Sequence, residues 1–368
     1  MSKIKQVKVC PFPFSKVDVN YVNEIFEYVP CCSSWLTDEY HQLFKHENLN
    51  PSNEKLHLRV WNNKQAQELR KSIYDGSYKY CRVDRCNKPL VTISEIKNKD
   101  SDYFETPISD ENVAAVLEGR LEMPSGPTSI SLSTDLKCNL ACPTCRNTQV
   151  SVSLPHHVHF IQKELQLVMH NRESIEVIKL ANSGEVFFSK EQRELLKSIN
   201  RFDFPKLKYI FIVTNALLLN QQNYDQLFPG TSFIKKVAIS IDAGDEDTYK
   251  VTRGGDWNRL LKNLEWIQMM RQKEEFLTVT FLFVVRKANF RSIDNFIKLG
   301  EKYGIDLFEF IEFDNWNDLY ALMDPLKIDY KDEAIHIPGH PLRSELVEIL
   351  SKYKHRSDVT INIDKIFD

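Results

Sequence analysis

The chain has 368 residues, more than one ordinary hydrophobic core accommodates and enough for a large domain with a smaller one. Hydrophobic residues make up 42% of the sequence and charged residues 27%, the balance of a globular protein. The formal net charge of −3 argues against a nucleic-acid-binding protein and against docking on an acidic membrane. The first residues lack the apolar core of a signal peptide, and no apolar run approaches the ~20 residues that span a bilayer. We therefore expect a cytoplasmic protein.

The N-terminal part of the chain is irregular and rich in cysteine. Prolines interrupt short extended stretches, and helical spacing predicts a helix over residues 63–74. We predict a small cysteine-rich domain over residues 1–100, with Trp35 and Trp61 packed inside it. A polar, proline-containing connection is expected over residues 101–127.

From residue 128 onwards, strand-like and helix-like stretches alternate. Six short apolar strands are predicted, at 128–134, 175–181, 206–213, 235–241, 276–285 and 305–313. Helices are predicted between strands at 155–171, from Ser189 onwards, at 257–271 and at 288–304. This alternation predicts an α/β fold whose parallel sheet is covered by helices.

Six strand–helix units fit a partial (βα)6 TIM-type barrel, which we predict over residues 128–335. A doubly wound sheet would produce the same pattern, and in either fold functional residues gather at the carboxyl ends of the strands. Residues 336–368 are predicted to add a C-terminal helix and a last strand.

Three cysteines follow the first of these strands: Cys138, Cys142 and Cys145. Because disulfides need an oxidising compartment, clustered cysteines in a cytoplasmic chain indicate metal or cofactor ligands. A four-iron cluster normally takes four cysteine ligands, so three thiolates from one tight loop would leave one iron open to a small molecule. The alternative is a structural zinc loop, which needs a fourth ligand. The nearest candidates are His156 and His157.

The C-x3-C-x2-C spacing after the first strand resembles the signature of the radical S-adenosylmethionine (radical SAM) superfamily. Three further segments match the family in order, over about residues 128–313: ANSGEVF, VTNALLL and SID. The resemblance implies that Cys138, Cys142 and Cys145 hold a catalytic [4Fe-4S] cluster and that the cosubstrate is S-adenosyl-L-methionine.

The same resemblance implies that Ser183, Gly184, Glu185, Ser240 and Asp242 bind the cosubstrate. Glu185 would meet the amino group of methionine, and the segment ending at Asp242 would meet the ribose and the carboxylate. Arg253 and Arg286 end barrel-side segments and are candidates for binding the carboxylate of the cosubstrate or a substrate anion, with a surface role as the alternative. We count Arg286 among the predicted cosubstrate contacts. The sequence departs from the family pattern at Thr144, Val186 and Ala216, where an aromatic residue, proline and glycine are usual.

The five remaining cysteines are Cys10, Cys31, Cys32, Cys81 and Cys86. Their surroundings resemble the auxiliary-cluster (SPASM/twitch-like) module of this superfamily, which usually follows the barrel and here precedes it. The resemblance implies a second [4Fe-4S] cluster on Cys10, Cys31, Cys81 and Cys86, with Cys32 equally placed as an alternative to Cys31. A structural zinc site with the same four thiolates is the other interpretation.

The resemblance implies a 5′-deoxyadenosyl radical that removes a hydrogen atom from carbon, assisted by an external one-electron donor of the flavodoxin or ferredoxin type. We expect an oxidoreductase acting on a small polar metabolite, of sugar or aminocyclitol type. The alternatives are a modifying enzyme for a ribosomal peptide and a two-cluster electron carrier or redox sensor. Three histidines, His156, His157 and His159, are expected to be a polar helix start rather than ligands.

Overall fold

In the computed structural model, the described residues are 8–22, 25–32, 35–43, 61–82, 86, 90–92, 107–133, 135–152, 155–180, 183–314 and 327–367. The chain divides into two compact units. The first comprises residues 1–134, 154–179 and 199–209, and the second comprises 135–153, 180–198 and 210–368. The segments of the two units interleave along the chain and so do not follow the linear boundaries expected from the sequence.

The first unit is built on a mixed sheet. The strands of this unit are β1 (Lys8–Val9), β2 (Lys16–Val22), β3 (Ile25–Val29), β4 (Val91–Thr92), β5 (Ser129–Leu132) and the start of β6 (Val177–Leu180). β2 pairs with β3 in antiparallel and with β5 in parallel orientation, and β6 lies beside β5. β1 and β4 form a separate antiparallel pair. The predicted N-terminal region and the first predicted strand of the barrel therefore share one sheet.

Helices of the first unit include α1 (Asp38–Leu43), α2 (Lys64–Tyr74), α3 (Asp110–Leu117) and α4 (Pro155–His170). Asn63 caps α2, because its side-chain oxygen accepts the Ala66 N–H at 2.7 Å. The helix predicted at 63–74 is thus confirmed. Ser109 caps α3 in the same way, so the stretch predicted as a polar connection contains a helix.

Arg70 holds the first unit together from its interior. Its side chain is fully buried and donates to the carbonyl groups of Pro13, Trp61 and Leu121 at 2.8, 2.8 and 2.9 Å. The guanidinium also stacks over the Trp61 ring at 4.5 Å. A buried cation needs such hydrogen bonds to offset the loss of water. Trp61 is buried as predicted, and Trp35 is partly buried.

The second unit carries five strands in a parallel sheet. In spatial order they are β7 (Tyr209–Thr214), β8 (Ile234–Ser240), β9 (Thr278–Val285), β10 (Leu307–Glu312) and β11 (Val359–Asn362). Each neighbouring pair is parallel. β11 comes from the predicted C-terminal extension and adds a further parallel strand to those expected from the alternation.

The α-helices described in the second unit are α5 (Lys190–Ser198), α6 (Gln221–Gln226), α7 (Glu246–Thr252), α8 (Trp257–Gln272), α9 (Ile293–Tyr303), α10 (Tyr330–Glu333) and α11 (Arg343–Ser351). The predicted α/β class with a parallel sheet is confirmed. Among the helices of the described residues, none is both long and apolar enough to cross a membrane.

Aromatic packing fixes β9 in the second unit. Phe281 and Phe283 are fully buried and face Phe296 of α9, with ring centroids 5.6 and 4.9 Å apart. Burying each such side chain contributes about 1.5–3 kcal/mol. This packing holds the carboxyl end of β9, where Arg286 follows Val285.

Candidate active site

The cysteine loop lies in the second unit, and its backbone forms a tight turn. The Cys145 and Arg146 N–H groups donate to the Cys142 carbonyl at 2.8 and 2.9 Å. Cys138 and Cys142 are buried, whereas Cys145 is exposed, and all three thiols are free. Burial raises the pKa of Cys142 to about 11; Arg253 opposes the rise, and Cys145 and Cys138 add to it. The turn therefore brings three thiols within electrostatic range of one another.

Each sulfur of this loop has a nitrogen donor or a cation beside it. Arg146 donates to the Cys145 sulfur from Nε at 3.3 Å and from Nη2 at 3.2 Å. The Asn215 side-chain amide points at the Cys138 sulfur at 3.8 Å. Arg253 is the largest charge acting on Cys142. Such donors favour thiolates over thiols, and iron–sulfur ligands are thiolates.

Glu185 follows β6 in the chain, is fully buried and contacts the carboxyl end of β7. The Thr214 hydroxyl donates to both of its carboxylate oxygens, at 2.8 and 3.0 Å, and the Asn215 N–H donates to Oε2 at 2.8 Å. Burial raises the pKa of Glu185, while the hydrogen bonds from Asn215 and Thr214 oppose that rise. Glu185 thus orients the turn that carries Asn215 toward Cys138.

Gly184 brings the Ser183–Glu185 segment against the backbone of the cysteine loop. A Cβ atom at this position would lie 2.4 Å from the Asp135 carbonyl oxygen and 2.6 Å from that of Lys137. The Glu185 N–H donates to the same Lys137 carbonyl at 2.8 Å. Only glycine permits this approach, because both obstructing atoms are backbone.

A buried network anchors the start of the cysteine loop. Lys137 and Glu191 form a short ion pair, and the Ser189 hydroxyl donates to the Asp135 carboxylate. Asp135 also accepts the Lys137 N–H at 3.1 Å, and Ser189 caps α5 by accepting the Gln192 N–H at 3.2 Å. These groups tie the loop to the start of α5.

Asp242 follows β8 and holds Arg253 in place. One carboxylate oxygen accepts from Arg253 at 3.0 Å, and the other accepts the Val284 N–H at 2.7 Å. Both oxygens of Asp242 therefore have protein partners. Ser240, at the end of the same strand, is half-buried.

Arg286 follows β9 and is almost completely buried. Its Nη1 atom forms an ion pair with Glu333 at 3.6 Å. Burial lowers the pKa of Arg286, and the neighbouring charges of Glu333, Asp242 and Cys142 oppose that effect. The arginine is thus a buried cation near the same loop.

Several buried donor atoms in this region have no hydrogen-bond partner within the described part of the chain. They include the Ser183 hydroxyl, Arg253 Nε and Arg286 Nε, and the Tyr249 hydroxyl near Arg253 and Cys142 is a fourth. A buried donor without a partner costs about 1–3 kcal/mol, which a bound ligand would recover. The donor set around the thiols is cationic, as an anionic cluster and a carboxylate require. The residues present therefore fit an iron–sulfur cluster together with an anionic group.

Part of the chain is similar in sequence to a known protein family. The sequence matches the Radical SAM superfamily over residues 135–300. This span contains the three cysteines, the Ser183–Glu185 segment and both buried arginines.

Residues 135–300 are a radical SAM domain.

The domain is similar to proteins of several kinds. A GTP 3′,8-cyclase of Clostridium botulinum (strain Hall) is 28% identical over 185 residues, which are 50% of this chain and 55% of that protein. The FeMo cofactor biosynthesis protein NifB of Methanocaldococcus jannaschii is 28% identical over 141 residues, 36% of this chain and 42% of that one. The chain spans about half the length of the curated relatives it matches. The crystal structure of Streptococcus suis SuiB superposes with a TM-score of 0.43 at 16% identity, over 97% of this chain and 71% of that one.

The N-terminal cysteines lie outside the radical SAM domain, in the first unit. Cys10 and Cys31 are buried, and Cys32, Cys81 and Cys86 are half-buried. Burial raises the pKa of Cys10 to about 12, with further increases from Cys86 and Cys81. Burial also raises the pKa of Cys31, and Cys10 adds most to that rise. The fold thus brings thiols from three separate stretches of the chain into one region.

Across the described ranges, no three His, Cys, Asp or Glu side chains converge closely enough to hold a single metal ion. Thiolates that share a four-iron cluster bind different irons and lie further apart than the ligands of one ion.

Sequence reasoning missed two groups that touch the sulfurs of the radical SAM domain, Arg146 and Asn215. Arg146 directly follows Cys145 in the sequence. This position could have identified it, because a cation beside a cysteine favours the thiolate. Asn215 lies in the VTNALLL segment, where Ala216 adopts φ +60 in place of the usual glycine. Thr144 is buried. The side chains of His156, His157 and His159 lie outside the described residues, although α4 contains these positions.

Proposed function

We propose that this protein is an enzyme that binds S-adenosylmethionine beside an open [4Fe-4S] cluster on Cys138, Cys142 and Cys145. The observation that carries the proposal is the set of three neighbouring thiols, each with a nitrogen donor or a cation beside it, together with buried donors nearby that have no partner in the described part of the chain. When bound, the cluster supplies the electron that cleaves the cosubstrate to methionine and a 5′-deoxyadenosyl radical.

The roles of the protein side chains follow from their partners. Arg146 donates to the Cys145 sulfur and Asn215 to the Cys138 sulfur, and we assign Glu185 to the methionine ammonium group. The unpartnered Nε atoms of Arg253 and Arg286 suit the methionine carboxylate. The remaining predicted contacts are Ser183, Gly184, Ser240 and Asp242. We assign Asp242 to orienting Arg253, because one of its carboxylate oxygens pairs with that guanidinium at 3.0 Å.

The proposal is tested by cleavage of S-adenosylmethionine after anaerobic reconstitution with iron and sulfide. Reduced wild-type protein is expected to form 5′-deoxyadenosine slowly even without substrate. Glu185→Gln should weaken cosubstrate binding about tenfold or more, since a charge-assisted hydrogen bond contributes about 1.5–3 kcal/mol. Equilibrium binding of the cosubstrate measures this effect, and the iron content should stay at the wild-type level.

The matched control for this prediction is Thr214→Val, which removes the hydroxyl that orients Glu185 and leaves the carboxylate charge in place. We expect a smaller loss of affinity in that variant. Equal losses in both variants would mean that Glu185 acts only on the turn that carries Asn215. Wild-type protein that holds iron but forms no 5′-deoxyadenosine would refute the proposed function itself.

We also propose a second iron–sulfur centre on Cys10, Cys31, Cys81 and Cys86. Support comes from the shared location of these thiols in the first unit, where Cys10 interacts with Cys86 and Cys81, and Cys31 interacts with Cys10 and Cys81. Lys16 also interacts with Cys31, but it pairs with Asp18 at 2.9 Å, so its charge is largely balanced. The notable alternative from the sequence, a zinc site, uses the same four thiolates.

The assignment of Cys31 over Cys32 gives a matched pair of variants. Cys31 is buried and interacts with both Cys10 and Cys81, whereas Cys32 is half-buried. Cys31→Ala is expected to lose about four of about eight irons per chain, and Cys32→Ala to keep all of them. Metal analysis of the anaerobic protein gives the counts. The reverse pattern would make Cys32 the ligand, and zinc in place of half the iron would remove the second cluster.

We propose an oxidative outcome for the substrate. A second centre held by Cys10, Cys31, Cys81 and Cys86 would accept the leftover substrate electron or tune substrate binding, and an external donor of flavodoxin or ferredoxin type would supply the electron for cosubstrate cleavage. No cysteine follows Cys145, so a thiol that returns hydrogen to a product radical is not evident within residues 146–368. Deuterium on the reacting carbon should therefore end in 5′-deoxyadenosine, with a product two hydrogens lighter. A product of unchanged mass carrying solvent hydrogen would contradict this. The small polar metabolite and the peptide both stay predictions.

A further inference from the structure

Arg146 connects three parts of the candidate site through one side chain. Nε and Nη2 donate to the Cys145 sulfur, Nη2 also donates to the Ser183 carbonyl at 2.5 Å, and Nη1 donates to the Leu136 carbonyl. The side chain is buried. We propose that Arg146 is a positioning residue that fixes the Cys145 sulfur against the 183–185 segment and raises the reduction potential of the cluster. This inference rests on the proposed function.

The positioning part follows from the exposure of Cys145. Cys138 and Cys142 are buried and held by their surroundings, but Cys145 is exposed and its side chain would otherwise rotate freely. A guanidinium is a rigid planar fork, so two N–H groups aimed at one sulfur fix its direction. The bonds to the Leu136 and Ser183 carbonyls fix the fork itself. The direction of the Cys145 sulfur is therefore fixed by the Arg146 side chain.

The electrostatic part follows from a difference between Arg253 and Arg146. Within the described residues, an ion pair with a carboxylate balances the charge of Arg253 but not that of Arg146. Arg253, beside Cys142, pairs with Asp242 at 3.0 Å, so its charge is largely balanced. Arg146 has no carboxylate partner among the ion pairs of the described residues, and its acceptors are a sulfur and two carbonyls. Its positive charge thus acts directly on the cluster. Reduction adds a negative charge, and both a nearby cation and N–H···S bonds stabilise the reduced form.

The test compares Arg146→Gln and Arg146→Lys with wild type after reconstitution with iron and sulfide, without cosubstrate. Arg146→Gln is expected to shift the reduction equilibrium at least tenfold toward the oxidised cluster, about 59 mV for one electron. Arg146→Lys keeps the charge but loses the fork, so its shift should be smaller. Potentiometric titration followed by electron paramagnetic resonance measures the potential and reports the cluster's surroundings. Arg193→Gln is the matched control, because Arg193 donates to the Phe187 carbonyl at 3.1 Å and to side-chain amides.

A loaded Arg146→Gln variant with the wild-type potential and spectrum would overturn the inference. If that variant takes up no iron at the three-cysteine loop, thermal unfolding of the apoprotein decides. A melting temperature like that of wild type supports the positioning role, and an unfolded apoprotein assigns Arg146 to the fold and overturns it. Cleavage of S-adenosylmethionine by the wild-type protein tests the proposed function. The potential of the cluster in the variants is a separate measurement, so failure of the inference is distinguishable from failure of the proposed function.

Discussion

Replacing Cys138, Cys142 and Cys145 together by alanine is expected to abolish the cleavage of S-adenosylmethionine and to leave about four of about eight irons per chain. The three thiols come from one turn and sit beside Arg146, Arg253 and Asn215, so the variant removes every proposed protein ligand of the open cluster at once. Iron analysis together with chromatography of 5′-deoxyadenosine measures both effects.

The reciprocal variant replaces Cys10, Cys81 and Cys86 by alanine. It should lose the other half of the iron, because these thiols lie in the first unit, whereas the open cluster lies in the second. Some cosubstrate cleavage without substrate should survive in it. Iron falling to zero in the 138/142/145 variant would mean that no second cluster exists. Full iron in that variant would contradict the proposed open cluster.

Gly184→Ala is expected to disable the site without removing any ligand. The added methyl group would lie 2.4 and 2.6 Å from two backbone oxygens of the cysteine loop, at Asp135 and Lys137, and neither can rotate away. Overpacking of this kind costs about 1–3 kcal/mol. Because the loop that must shift carries Cys138, we expect cluster loading and cosubstrate affinity to fall with stability. Chemical denaturation, iron content and equilibrium binding of S-adenosylmethionine measure the three quantities.

Gly304→Ala is the matched control for that prediction. Gly304 ends α9 with φ +64, and a Cβ there would meet no heavy atom within 4 Å. The cost is therefore backbone strain alone, about 1 kcal/mol. Iron content and cosubstrate affinity should stay at wild-type values. A Gly184→Ala protein that behaves like Gly304→Ala would show that the cysteine loop moves away without consequence.

The elements that could be predicted from the sequence were those that depend on a pattern of neighbouring residues. Helix 63–74 was predictable because Asn63 caps it locally, and β7 to β10 were predictable because each is a short apolar run between helices. Helix α3 was missed, since its eight residues lie between prolines in a polar stretch. The parallel pairing of β2 with β5 was also missed, because partners more than a hundred residues apart leave no local signal.

The sequence by itself determined the three-cysteine loop and the segments around Glu185 and Asp242, because spacing along the chain carries that information. Only the tertiary structure decided which atoms meet. The Asn215 amide reaches Cys138, Asp242 turns to Arg253, and Arg146 joins Cys145 to the Ser183 carbonyl. These contacts depend on strand ends that meet in space and on a glycine that admits close approach. Residues far apart in the chain are placed by packing, which no local pattern of residues records.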